Sequence, residues 1–117
     1  MSAYTRSRLI TAVNKFNEQD YFECHEILED IWFDVHDSTK DIYQGLLHYA
    51  TALYHLTGKN NIKGTFMQLE KAADKLSVFT ENFQGIDIPK VLRQIKSLHK
   101  RLTKGEAPKR LPRLKIT

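Results

Sequence analysis

The chain has little of what most catalytic and extracellular folds require. It carries one cysteine, Cys24, so no internal disulfide can form, which fits a reducing compartment. Its five glycines are scattered, and none belongs to a phosphate-cradling loop. No apolar run approaches the ~18 residues needed to cross a bilayer. Met1-Ser2-Ala3-Tyr4 lacks the apolar centre of a signal peptide. Nowhere do apolar and polar residues alternate with period two, so no sheet is expected. No tetratricopeptide-like set of Trp, Gly, Tyr, Ala and Pro recurs. These absences describe a soluble protein with no membrane partner, cytoplasmic or in an equivalent organelle interior.

Acids are scarce at one end and bases at the other. Residues 18–41 hold nine acids against one base, Lys40, whereas residues 86–117 hold ten bases against two acids, Asp87 and Glu106. The net charge of +4 therefore comes from the C-terminal end. Such an end can bind nucleic acid, with Lys100, Arg101, Lys104, Lys109 and Arg110 as the candidate contacts, or it can be a solvated surface. No aromatic residue interleaves the tail, as single-strand binders require.

What is present is helical periodicity. With 41% hydrophobic residues in 117, the chain can bury one modest core. Leu9, Val13 and Phe16 mark a first helix, with Thr5 or Ser7 as its cap. Cys24, Leu28, Ile31 and Val35 mark a second, begun by Asp20 and Glu23 at capping-box spacing. Ile42, Leu46, Tyr49, Leu53 and Leu56 mark a third, stopped by Gly58 at the position after the last helical residue. Phe66, Leu69, Ala73 and Leu76 mark a fourth, capped by Asn61 and running to about Phe79. Val91, Leu92, Ile95, Leu98 and Leu102 mark a fifth, introduced by Asp87 and Pro89. The expected fold is all-α, an antiparallel bundle of about five helices over residues 1–104. Residues 105–117 form a basic, Pro-containing tail, extended and laid across the bundle.

Chemistry concentrates in the second and third helices. His25 and Glu29 stand at i and i+4 on one edge of the apolar stripe. Glu26 lies between Phe22 and Phe33; if both rings are buried, it is at least half covered and needs a partner. On the third helix Gln44, His48, Thr51 and His55 recur at i, i+4, i+7, i+11. Gly45 and Ala52 beside them let another helix approach closely.

These residues resemble a known family. Phe16-Asn17, Tyr21-Phe22-Glu23-x-His25-Glu26-x-Leu28-Glu29-x-x-Trp32, Gln44-Gly45-Leu46, Ala52, His55 and the stretch from Gly58 to Gly64 are similar to the domain of unknown function 309 family. The resemblance covers about residues 14 to 76. It implies a small all-helical bundle, found in bacteria, archaea and plastids, and so admits a plastid interior as a location. Some members carry the label of metal-dependent hydrolase. Two departures stand out: Cys24 replaces a small alanine, and the turn from Gly58 to Thr65 is altered.

Three readings follow. In the first, a divalent metal such as Zn, Fe or Mn is held by His25, Glu29 and His55. Glu26 is then the general base, and Glu23, Trp32, Gln44, Gly45, His48 and Thr51 are supporting positions. The run His25-Glu26-x-x-Glu29 matches a zincin helix whose second His is Glu. In the second, the protein is a non-catalytic interaction or dimerisation module, and the His/Glu group is a buried network fixing helix register. In the third, the basic C-terminal end binds nucleic acid. Cys24 faces the core in every case and should be inert.

Overall fold

A computed structural model describes residues 2–117. Five helices follow in order: α1 (Ala3–Asn17), α2 (Tyr21–Asp34), α3 (Lys40–Gly58), α4 (Ile62–Leu76) and α5 (Ile88–Thr103). Each packs on the next in sequence. The all-α bundle expected from periodicity is the fold.

The helix at the centre is α3. Nine of its residues are buried, from Ile42 to Leu53, including Gly45, Tyr49 and Ala52. One line of half-buried positions escapes this burial: Gln44, His48, Thr51 and His55. The reason lies in size. A Cβ on Gly45 would stand 2.5 Å from Leu76 Cγ, so α4 sits against the α3 backbone itself. One turn further along α3 Tyr49 packs against Phe16 of α1, ring centroids 5.1 Å apart, and its hydroxyl donates to Gln94 Oε1 of α5.

The local signals place most helix starts. Asp20, Asn61 and Asp87 accept from Glu23, Gly64 and Lys90 backbone N–H groups. Four expectations need correction. The α1 cap is Ser2 rather than Thr5 or Ser7, because Ser2 Oγ takes the Thr5 N–H and the helix gains a turn. The α2 capping box is half formed: the Asp20 N–H is already spent on Lys15 O, so Glu23 has no backbone donor to return to. Gly58 is the last residue of α3, and the left-handed residue that ends the helix is Asn60, φ 48°. Finally, α4 stops at Leu76 rather than near Phe79. Its buried line is Thr65, Leu69, Ala72 and Leu76, one position behind the expected Phe66 and Ala73. Thr65 fits the core because its hydroxyl donates to Asn61 O.

A sheet exists where none was expected, though a minimal one. Asn82–Phe83 (β1) pairs with Ile86–Asp87 (β2) around Gln84 and Gly85, both at positive φ. Two successive positive values make the mirror-image turn that suits a two-residue hairpin. Two-residue strands are too short to show alternation. The tail then runs back along the bundle, as expected. Ile116 bridges to Ile86, Leu114 is buried, and Asn17 both donates to Leu114 O and accepts from Leu114 N at 2.8 Å. Gln94 adds a bond to Arg113 O. The tail thus ties α1, α5 and the hairpin together.

The Gly45 contact generates a test. Gly45→Ala gains helix propensity of at most ~1 kcal/mol but overpacks a fully buried leucine, at about 1–3 kcal/mol. The substitution should lower stability by about 1–2 kcal/mol in urea melts, whereas an unchanged or raised midpoint would show that α4 can step back.

Candidate functional site

Helix α2 presents its acids and two of its aromatics outward. Phe22, Glu26, Glu29 and Phe33 follow at i, i+4, i+7, i+11, one row along the helix. Phe22 is 51% exposed and Phe33 72%, so neither ring shields Glu26 in the way expected. The core took Tyr21, Cys24, Leu28 and Ile31 instead, and the row opposite that stripe lies outside the core.

His25 lies beside this row. Its Nδ1 is 3.4 Å from Glu26 Oε1 and its Nε2 is 3.6 Å from Glu29 Oε2. The carboxylates remain about half exposed (48% and 51%), and the imidazole side chain keeps 25%. The group is therefore a surface cluster and not a buried network. Exposure leaves both carboxylates solvated, so they need no partner from α3.

The α3 residues make their own arrangements. Thr51 donates back to Leu47 O within the helix. His48 Nδ1 meets Gln68 Oε1 of α4 at 2.7 Å; the amide oxygen only accepts, so Nδ1 carries the proton. His55 Nδ1 is buried with no hydrogen-bond partner, as is Trp32 Nε1. No hydrogen bond or ion pair joins His55 to His25, Glu26 or Glu29. Among the described residues, no three His, Cys, Asp or Glu side chains stand together as metal ligands. The side chains as placed do not fit a three-ligand centre.

Other residues complete the face. The Phe22 ring lies 5.5 Å from Tyr54 and 6.2 Å from His25, giving an aromatic patch across α2 and α3. Lys40, the lone base of the acidic stretch, stands 4.5 Å from the centre of the Trp32 ring. Its ammonium also donates to Trp32 O and Val35 O, closing the free carbonyl end of α2. Asp37 accepts from Thr39 N–H and hydroxyl, which holds its carboxyl below the usual range. Lys75 of α4 pairs with Asp41 at 3.6 Å. Sequence reasoning missed Gln68 and Lys40. Gln68 falls on one helical line with Lys71 and Lys75, and a single base among nine acids was the signal for Lys40.

Electrostatics separate the buried groups from the working surface. Burial pushes the Cys24 thiol up to about 12, so it is inert as expected. His48 is held below its ordinary value, first by burial. The Gln68 bond opposes this, and the charges of Lys71, Lys75 and His25 reinforce it.

The stretch from Leu9 to Met67 matches the sequence profile of the family described as Domain of unknown function (DUF309), residues 9–67 and half of the chain. The chain belongs to the DUF309 family. The profile runs from Leu9 within α1 through α2 and α3 to Met67 within α4, so it includes the whole His/Glu row and leaves α5 and the basic tail outside. Two uncharacterized proteins are similar to parts of this DUF309 chain. YpuF of Bacillus subtilis (strain 168) is 46% identical over 43 residues, 36% of this chain and 25% of YpuF. A protein of Aquifex aeolicus (strain VF5) is 28% identical over 83 residues, 65% of this chain and 23% of the relative. The matched stretches span about a quarter of each relative's length. No helix among the described residues is long and apolar enough to cross a membrane.

The His48 environment predicts a pH dependence. A histidine whose folded-state pKa lies below the unfolded ~6.5 releases its proton on folding. Its stabilising contribution is complete above pH ~6.5 and is lost as pH falls through the depressed value. Thermal melts from pH 5 to 7.5 should therefore show a smaller decline at acid pH in His48→Gln than in the parent. Parallel curves would mean that His48 titrates normally.

Proposed function

We propose that this DUF309 chain is a non-catalytic protein-interaction module whose binding face is the exposed row of α2 with the adjoining stripe of α3. The observation that carries this reading is the pair of outward aromatics, Phe22 and Phe33, at the two ends of a row holding Glu26 and Glu29. Exposed rings are the usual anchors of an interface, and flanking charges set its specificity. An acidic row needs a basic partner. Like charges exclude an isologous pairing of two such faces, since each copy would bring the same carboxylates to the centre. The metal-dependent hydrolase reading has less support, because His55 does not join His25 and Glu29 in a three-ligand group and Glu26 is about half exposed.

The reading is tested by placing the photo-crosslinker p-benzoylphenylalanine at position 22 or 33 in the native host. Val78, as exposed as Phe33 at 72% and just beyond the end of α4, is the control position. Positions 22 and 33 should capture one common protein, whose yield falls at least tenfold when Glu26 and Glu29 become Lys. Crosslinks indistinguishable from those at position 78, or unaffected by the charge reversal, would refute it.

A further inference from the structure

The outer side of α5 carries a row of exposed bases and is unused by the α2 face. At about 100° per residue, Lys90, Arg93, Lys96, Lys100 and Lys104 fall within one arc of roughly 120°. All five are exposed. The opposite side of the helix carries Ile88, Val91, Ile95 and Leu98 into the core, so the helix cannot roll to hide its bases. Lys90 to Lys104 spans about 21 Å of axis at ~1.5 Å per residue. Among the described residues none of the five has an ion-pair partner; on this helix only His99 with Glu70, and Arg101 with Glu106, are paired.

The tail extends the charge on one flank. A groove of about 420 Å³ runs between α5 and the returning chain, with Arg101, Lys109 and Arg110 on its walls. Lys109 and Arg110 are exposed. The clasp of Asn17 on Leu114 and the bond from Gln94 to Arg113 O hold this tail in place, so its bases are fixed relative to the ridge rather than free to disperse.

What the surface lacks decides the partner. The exposed large apolar residues are Tyr4, Ile10, Phe22, Phe33, Ile62, Met67 and Val78; none lies in α5 or the tail. There is no ring on which an unpaired base could stack. There is no apolar wedge to enter a lipid interface, and no aromatic anchor for a protein hot spot. A straight row of exposed lysines and arginines, without reading groups, matches a regular array of phosphates. A duplex offers one negative charge per ~1.7 Å of axis.

We propose that α5 and the tail bind duplex nucleic acid through its phosphate backbone, without reading sequence. The test uses the full chain and a fluorescein-labelled 20-base-pair DNA duplex, followed by anisotropy from 50 to 200 mM salt. Five phosphates neutralised give a log–log salt slope of about −4.5, a loss of roughly 500-fold across that range. K96Q/K100Q/K104Q should weaken binding at least tenfold and make the slope shallower by about 3. K59Q/K63Q/K71Q, with the same change of net charge elsewhere, should bind like the parent. Because all six lysines are exposed, circular dichroism melts should be unchanged in both variants. No binding at 50 mM salt would overturn the proposal. So would equal weakening by the two variants, or tighter binding of single-stranded oligonucleotide or of phosphatidylserine vesicles than of duplex.

Discussion

The fold depends on how closely α4 lies against α3. Gly45 has no side chain, and Leu76 fills the space one would occupy. With α4 against Gly45 and the Phe16–Tyr49 contact one turn further along, α3 is enclosed from Ile42 to Leu53. Between Ile42 and Leu53 the line of Gln44, His48 and Thr51 is left partly open, and His55 continues it. Everything distinctive about the α2–α3 face follows from this enclosure. Helix α2 must spend Cys24, Leu28 and Ile31 on the core, which turns Phe22, Glu26, Glu29 and Phe33 outward.

His25, Glu26 and Glu29 therefore stand on a surface rather than in a buried network. His25 touches two carboxylates of its own helix, and His48 is engaged with Gln68 of α4. His55 Nδ1, in contrast, is buried without a partner and is not joined to the other two. That arrangement suits recognition: charges are solvated until a partner arrives, and the exposed rings supply apolar area at low entropic cost. Under the two proposals the chain's charged ends would have separate roles, an acidic face for a basic protein and a basic ridge for phosphates.

Helix number, order and most caps were legible because apolar residues recur at i, i+4 and i+7 and because Asp20, Asn61 and Asp87 stand just before those rows. The small-residue side of α3 was legible too, since a glycine within a helix needs a packing reason. The errors have physical causes. Phe33 reads as core by composition, but helix rotation is fixed by the sum of all contacts, and the Cys24–Leu28–Ile31 side outweighs it. Thr65 is absent from the expected buried line because it is polar, yet its hydroxyl is silenced by a carbonyl one turn back. The Gln84–Gly85 hairpin is invisible to periodicity and depends on two residues at positive φ. At the site, spacing along α2 correctly put His25 beside Glu29. The partnership with His55 required knowing how far α3 slides along α2, which no local pattern contains.

The most direct test of this account is the metal content of untagged protein purified without chelator, measured by mass spectrometry beside His25→Ala. A recognition surface predicts well below one equivalent of zinc, iron or manganese per chain in both proteins, and little loss of stability in the variant. One equivalent of metal in the parent that disappears in His25→Ala would contradict the account and restore the His/Glu row as a metal centre.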